Sequence, residues 1–161
     1  LYHLGGLSYG NLSVRHQGDS FWMSASGVDK AALRTIGEDI LLVKGFDPVR
    51  RAMRLSVPPH VTPRRVSVDA IEHWLIYREF SGVGAIVHVH AWVDGIASTP
   101  MAYPCGTLEL AQAVVALLRR APDPTRAIVG LKNHGVTVTG PDMADIFARL
   151  DGKIRRTVPM T

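Results

Sequence analysis

Two histidines at the end of an apolar segment have the spacing of a metal site. His88 and His90 close the segment 84–90, which has the length and composition of a buried strand. Because side chains alternate between the two faces of a strand, residues two apart project from the same face. Two imidazoles in that arrangement can bind one cation. The same pair also arises where two histidines merely end a strand, so a metal site needs a third ligand.

His134 is the candidate for that third ligand. It follows the apolar stretch 127–131 and precedes Gly135, where the backbone can turn. Taken alone, such a histidine is more often a hydrogen-bonded loop residue. The carboxyl ends of strands are, however, where α/β folds collect their ligands. Three imidazoles would leave a coordination position of a divalent ion open, as catalytic sites require.

A polar helix supplies the next candidates. Ser67 is a suitable N-cap, and Asp69, His73 and Tyr77 are spaced four apart, so they share one helix face. This spacing alone indicates only a polar stripe on the helix, in which Asp69 stabilises the helix dipole as a solvated first-turn carboxylate. His73 and Tyr77 are interpreted as packing residues.

Small residues near the amino end offer a possible anion site. Gly10-Asn11 and Ser26-Gly27 can present backbone N–H groups and a hydroxyl to an anion, although as isolated dipeptides they are ordinary turns. No dinucleotide fingerprint, Walker motif or Gly-x-Ser-x-Gly nucleophile elbow accompanies them.

The hydrophobic pattern predicts the elements that position these residues. Strands alternate with helices, which predicts an α/β fold with a central sheet flanked by helices. The predicted strands are 12–15, 21–24, 40–44, 84–90, 127–131 and 135–138, the predicted helices are 67–80, 91–98, 107–120 and 142–155, and 47–65 is predicted to be a long loop.

Composition favours a single domain, residues 1–161, with a small-molecule partner. Hydrophobic residues make up 47% and the net charge is +4, with no nucleic-acid reading motif and only 7% aromatic residues, so we expect no nucleic-acid partner. Cys105 is the one cysteine, which excludes an intrachain disulfide and fits a reducing cytoplasm. No apolar run approaches the roughly 20 residues that span a bilayer, so we expect no membrane partner.

These motifs occur in a familiar order. The sequence resembles the class II aldolase/adducin family, which includes fuculose- and rhamnulose-phosphate aldolases and ribulose-phosphate 4-epimerase. The resemblance covers most of the chain and rests on the ordered combination of segments 10–15, 24–27, 67–77, 85–90, 106–111 and 132–135.

The resemblance implies a three-layer α-β-α fold with a mixed, mainly antiparallel sheet, assembled as a homo-oligomer, usually a tetramer. It implies that His88, His90 and His134 bind Zn²⁺ or another divalent ion such as Mn²⁺, Co²⁺ or Fe²⁺, and that Asp69 is the catalytic acid/base. The positions that hold the substrate phosphate in phosphosugar aldolases match Gly10, Asn11, Ser26, Gly27 and Ser67.

The implied activity is cleavage of a carbon–carbon bond in a hydroxy-carbonyl substrate, of the sugar or sugar-phosphate type, through a metal-stabilised enediolate. An epimerase, decarboxylase or dehydratase on the same scaffold is the alternative, and a non-catalytic module like the adducin head is a third. Asp69 favours an epimerase, because aldolases carry glutamate there, whereas Ser24 stands where epimerases have lysine. Val68 replaces a phosphate-contacting serine. We also expect the domain to lack the family's amino-terminal helix and a loop near residues 100–101.

Overall fold

The structure, a computed structural model, describes residues 3–4, 7–62 and 64–160 of the chain. The strands and helices there are β1 (His3–Leu4), β2 (Leu7–Ser8), β3 (Asn11–Arg15), β4 (Phe21–Ser24), β5 (Ile40–Asp47), β6 (Ala52–Ser56), α1 (Ala70–Glu79), β7 (Ala85–Val89), α2 (Leu108–Leu118), β8 (Ile128–Leu131), β9 (Gly135–Gly140) and α3 (Met143–Leu150), with a short 3₁₀ turn at Pro124–Arg126.

One large sheet organises the molecule. It has seven strands in the order β6-β5-β4-β3-β7-β9-β8, and each neighbouring pair is antiparallel. Strand β7 therefore lies between β3 and β9, although these are far apart in sequence. The carboxyl end of β7 lies next to the start of β9, because Val89 pairs with Val136.

Helices cover both faces of this sheet. Ile86 of β7 belongs to the apolar cluster formed with α1 and α2, whereas Ala85 and Val87 belong to the cluster beneath α3. This alternation is what a strand buried on both faces produces. The predicted α/β class with helices around a central sheet is confirmed, and the pairs within the large sheet are all antiparallel.

Arg15 fixes α1 against β3. Its guanidinium donates to the carbonyl oxygens of Tyr77 and Phe80 at 2.9 and 2.8 Å, and to that of Val83 at 2.7 Å. The last carbonyls of a helix have no partner within the helix, so these bonds satisfy groups that burial would otherwise leave unpaired. The helix that carries Asp69 at its other end is thus held in one position over the sheet.

Several predicted boundaries were wrong. The segment 47–65 is not one long loop, since it contains the edge strand β6, in which Met53 and Leu55 turn inward between exposed neighbours. The predicted helix 91–98 is absent; Trp92 and Ser98 there form isolated bridges to other segments. The first long helix begins at Ala70 with Asp69 as its N-cap residue, not Ser67, and the last helix ends at Leu150.

The predicted cap of α2 was correct. Thr107 is its N-cap residue, and the Thr107 hydroxyl accepts a hydrogen bond from the amide of Leu110. Among the helices in the part of the chain that the structure describes, none combines the length and apolar composition needed to cross a membrane.

Candidate metal centre

The three histidines singled out in the sequence come together at one end of the sheet. One ligand atom from each of His88, His90 and His134 lies within 4.8 Å of the other two. The ring centroids are 4.7 Å apart for His88–His134 and His90–His134, and 5.1 Å apart for His88–His90. The Nε2 atoms of His90 and His134 are 3.2 Å apart. The ligand atoms of the three imidazoles therefore converge on a common position, and the rings are not stacked on one another.

Local backbone features produce this convergence. His88 lies near the carboxyl end of β7, and His90 is the first residue after the strand. The two side chains therefore project from the same face. His134 is in the turn between β8 and β9. Asn133 supplies that turn with a left-handed conformation, φ 59°, which asparagine tolerates better than most residues. A Cβ added at Gly135 would lie 2.2 Å from a carbonyl oxygen of β7, so glycine permits the close approach that brings His134 to its partners.

The hydrogen bonding of His88 leaves its inner nitrogen available for a ligand. Nδ1–H donates to the carbonyl oxygen of Val136 at 3.1 Å, which places the proton on Nδ1 and a lone pair on Nε2. His88 is 1% exposed, and its Nε2 has no hydrogen-bond partner. A supporting carbonyl of this kind is the usual way in which a metal-binding histidine is oriented.

All three imidazoles are electrically neutral near pH 7. Burial, followed by the neighbouring His134 and His90, holds the pKa of His88 well below its usual value. Burial likewise lowers the pKa of His90 and of His134. Neutral imidazoles can offer lone pairs to a cation, and they add no charge of their own.

The donor set fits a divalent ion. The half-buried Nε2 atoms of His90 and His134, 3.2 Å apart, can share one proton, but the buried lone pair of His88 remains without a partner. A cation among three nitrogens satisfies all of them at once. Neutral nitrogen ligands suit Zn²⁺ and related first-row ions, and a set of three leaves room for a further ligand.

Asp69 is held beside this centre by Asn11. Asn11 Nδ2 donates to Asp69 Oδ2 at 2.8 Å and to Ser67 Oγ at 3.0 Å. Asp69 is only 7% exposed, and its Oδ1 has no partner. The Asp69 side chain makes no capping hydrogen bond to α1, so it is not the solvated helix-dipole carboxylate that the sequence also allowed. Its charge acts on His90 and His134, where it opposes the effect of burial on their pKa.

The other predicted anion-binding residues fall into two groups. Gly10 packs on β7, since an added Cβ would lie 2.3 Å from the carbonyl oxygen of His88, and its φ is 93°. Asn11 pairs with His88 in the sheet, so both residues belong to the centre. Ser26 lies beside the segment that precedes Ser67, and its amide already donates to the carbonyl oxygen of Arg65 at 2.8 Å. Gly27 is exposed next to it. Their role in binding an anion stays a prediction.

A second buried carboxyl group, Glu72, was missed by sequence reasoning. Glu72 is 2% exposed, and its Oε1 accepts a hydrogen bond from Thr137 Oγ1 at 2.6 Å, whereas Oε2 has no partner. Burial, then the charge of Asp69, raises the pKa of Glu72 to about 8, so the group is protonated at neutral pH. Its position three residues after Asp69 places it on the same side of α1, which is the signal the sequence did carry.

Among the described residues, the buried side-chain atoms that lack a hydrogen-bond partner belong to the centre and to the helix beside it. Within the described residues, the buried side-chain nitrogen and oxygen atoms without a partner are Asn11 Oδ1, Asp69 Oδ1, Glu72 Oε2, His73 Nε2 and His88 Nε2. Native proteins leave few such atoms, and each requires an explanation. Their concentration in the centre and the adjacent helix indicates a site that binds polar ligands or ions.

His73 and Tyr77 are buried next to this cluster and share Ser13 as a hydrogen-bond partner. Ser13 Oγ lies 2.7 Å from His73 Nδ1 and 2.9 Å from the Tyr77 hydroxyl, and all three residues are buried. Burial lowers the pKa of His73 to about 3 and raises that of Tyr77. Both residues are therefore uncharged and packed, in agreement with the interpretation from the sequence.

Glu72→Gln is expected to make the protein more stable at pH 8. Between pH 4.5 and about 8 the unfolded chain releases the Glu72 proton but the folded protein keeps it. The free energy of unfolding therefore falls as the pH rises, by about 1.4 kcal/mol per pH unit for one such group. Glutamine cannot ionise, so the variant should lack this slope and should differ little from the parent at pH 4.

The measurement is chemical denaturation across that pH range, with a chelator present so that metal release does not contribute. Glu38→Gln, at an exposed glutamate, serves as the matched control and should leave the slope unchanged. Equal slopes for parent and Glu72→Gln would show that Glu72 ionises normally in the folded protein.

Comparison with known proteins agrees with this geometry. The family model for the class II aldolase and adducin N-terminal domain matches residues 1–99. Methylthioribulose-1-phosphate dehydratase from Klebsiella pneumoniae subsp. pneumoniae is 26% identical over 172 residues, covering 89% of this chain and 79% of that protein. The protein of the same name from Bacillus cereus is 29% identical over 170 residues, covering 88% and 74%.

Among solved structures, an L-fuculose 1-phosphate aldolase superposes with a TM-score of 0.65 over 90% of this chain and 70% of that one. Its sequence identity is 19%, so the likeness concerns the fold.

Proposed function

Because the chain belongs to the class II aldolase and adducin family, we propose that it is a divalent-metal-dependent lyase acting on a hydroxy-carbonyl compound of the sugar-phosphate type. Its relatives in both comparisons are enzymes, and it is an enzyme of the class II aldolase superfamily. The observation that carries the proposal is the convergence of three neutral imidazoles beside a buried, partly unsatisfied carboxylate.

His88, His90 and His134 would hold the ion, with Zn²⁺ as the first candidate. A bound divalent ion would supply a Lewis acid that polarises the carbonyl group of the substrate and stabilises negative charge next to it. The site lies where β7 meets the start of β9, so His88 stands on a strand and His90 and His134 stand directly beside strand ends rather than on long loops. Ligands on rigid elements keep their geometry when substrate enters.

Asp69 would move the proton. Asn11 fixes one carboxylate oxygen through a 2.8 Å hydrogen bond and leaves the other oxygen unpaired. A carboxylate oriented in this way can accept a proton from a substrate hydroxyl or carbon and return it later in the cycle. Asn11 donates this bond through its amide nitrogen, and an amide does not compete with Asp69 as a base.

Ser67 would help to hold the anionic end of the substrate. Its hydroxyl oxygen accepts hydrogen bonds from Asn11 Nδ2 at 3.0 Å and from the Asp69 amide at 3.4 Å, so its own O–H can donate outward. The relatives' names specify phosphorylated substrates. A phosphorylated substrate therefore suits both the position of Ser67 and the net charge of +4.

Two reactions compete for this site. Carbon–carbon cleavage, the reaction predicted from the sequence, needs one group that removes a hydroxyl proton and returns it to carbon, which Asp69 can do. Dehydration is the second candidate, and the sequence relatives named as dehydratases favour it. It needs a base at carbon and an acid at the leaving hydroxyl, and Glu72 lies close enough to Asp69 for the Asp69 charge to favour the protonated form of Glu72.

Product analysis would test the proposal and separate the two reactions. Zinc-loaded protein would be incubated with a panel of ketose and aldose phosphates and their unphosphorylated counterparts, and the products followed by NMR. Aldol cleavage yields two fragments, whereas dehydration keeps the carbon skeleton and releases water. We expect turnover of a phosphorylated member. Failure to convert any phosphorylated hydroxy-carbonyl compound with zinc, manganese, cobalt or iron bound would contradict the proposed function.

A further inference from the structure

The single cysteine of the chain lies against the metal centre. Cys105 Sγ is 3.4 Å from His134 Nε2, the same nitrogen that lies 3.2 Å from His90 Nε2. The sequence gives no reason to connect Cys105 with the histidines, because it lies 15 residues beyond His90 in an irregular segment. Sulfur is a strong ligand for zinc and related ions.

Contacts of the two residues after Cys105 fix the position of the turn that carries it. The hydroxyl of the next-but-one residue, Thr107, donates to the carbonyl oxygen of Pro104 at 2.9 Å and also caps α2. Gly106 packs on the residue that precedes Asp69, since an added Cβ would lie 2.7 Å from Val68 Cβ. The main chain at Cys105 is thus placed relative to α1 and α2, while rotation about one side-chain torsion moves the exposed sulfur.

Two of the separations are close to those between ligands of one ion. Metal–nitrogen bonds of about 2.0–2.1 Å and a metal–sulfur bond of about 2.3 Å, in tetrahedral geometry, separate neighbouring ligands by roughly 3.3–3.6 Å. The observed separations are 3.2 Å between the imidazole nitrogens and 3.4 Å between nitrogen and sulfur. Cys105 Sγ contacts His134 but is not yet within 4.8 Å of all three histidine ligand atoms, so the sulfur must rotate to reach the common position. Independently of the cysteine, His88 Nε2 is buried, unpartnered and within 4.8 Å of the other ligand nitrogens, which indicates that the site takes an ion.

We propose that Cys105 is the fourth ligand of the ion when no substrate is bound. On binding, a sulfur–metal bond forms and the thiol proton passes to solvent. When a substrate oxygen replaced the sulfur, the metal–sulfur bond would break and the released thiolate would take a proton from solvent. Cys105 would thus fill the open coordination position at rest and leave it for the substrate during turnover. The inference rests on the proposed function, because it adds a ligand to the same centre.

Cobalt substitution gives a direct test. The metal-free protein and its Cys105→Ser variant would be titrated with Co²⁺ under reducing conditions, recording visible and near-ultraviolet absorption. Because the chain has one cysteine, any thiolate-to-cobalt charge-transfer band must come from Cys105. We expect that band to rise with the first equivalent of Co²⁺ in the parent and to be absent from the variant.

The variant should still bind Co²⁺ through the histidines, with visible d–d absorption and an affinity lower by about tenfold or more, the scale seen for lost supporting groups at metal sites. If both proteins bind Co²⁺ and neither shows the charge-transfer band, the ligand role of Cys105 is overturned while the proposed function stands. If the parent binds no Co²⁺ at all, the metal centre itself is overturned, and both proposals fall.

Discussion

Replacing His88 by alanine is expected to remove the metal ion and to lower turnover by at least about a thousandfold. The imidazole is buried, and its Nε2 faces the ligand nitrogens of His90 and His134. Two remaining nitrogens bind a divalent ion weakly. Lewis-acid stabilisation contributes several kcal/mol, and each 1.4 kcal/mol changes the rate about tenfold. Elemental analysis of purified protein measures the metal, with about one ion per chain expected in the parent.

His134→Ala should give the same result. It provides a second variant at a less buried position, in case the cavity left by His88→Ala destabilises the fold. His16→Ala is the matched control, because His16 is exposed and contacts Trp22 rather than the centre. Full metal content and undiminished turnover in both His88→Ala and His134→Ala would contradict the proposed centre.

Replacing Asp69 by asparagine is expected to leave the metal in place and to reduce turnover by roughly 10²- to 10⁴-fold, the usual contribution of a general acid or base. Asparagine has nearly the same shape, and its amide oxygen can still accept the hydrogen bond from Asn11. The variant cannot take up a proton at that position. Metal analysis together with steady-state kinetics separates this effect from loss of the ion.

Asp19→Asn controls for the loss of a negative charge. Asp19 is exposed and forms a surface ion pair with Arg78 at 3.7 Å, away from the centre, so its removal should change neither metal content nor rate. Undiminished turnover in Asp69→Asn would remove Asp69 from the proton-transfer role. Metal loss in the same variant would assign it to the ligands instead.

The histidine cluster could be predicted from sequence, although partly for a reason that does not hold. The period of two along β7 correctly places His88 and His90 on one face. His134 is predicted from its place after an apolar segment and before Gly135, and the rule that α/β folds collect ligands at the carboxyl ends of strands, which also favours it, is a rule for parallel sheets. The sheet is antiparallel. His134 lies beside His88 and His90 because the start of β9 pairs with the end of β7. Such pairing between distant segments is a tertiary property that single-sequence periodicity does not contain.

Glu72 and Cys105 show what sequence could not supply. The spacing of Glu72 from Asp69 places both on one side of α1, but its partner Thr137 is 65 positions away, so the sequence does not show that Glu72 is buried. Cys105 likewise meets His134 from 29 positions away. Only the packing of α1 on β9, and of the turn before α2 on the histidines, makes these residues part of the centre.

The errors in secondary structure have the same origin. The edge strand β6 has an alternating pattern, with Met53 and Leu55 inward, but prolines and arginines around it favoured a loop. Residues 91–98 are predicted to begin a helix, yet Trp92 pairs with Arg155 and Ser98 with Gly130, so contacts with distant segments decide their conformation. Tertiary context commonly overrides weak local preferences of this kind.

Anomalous diffraction from crystals grown with zinc would test the central claim most directly. The account predicts one zinc peak per chain, bonded to a nitrogen of His88, His90 and His134 at about 2.0–2.1 Å. A zinc-saturated crystal with no peak among these three imidazoles would contradict it, even if zinc were bound elsewhere on the protein.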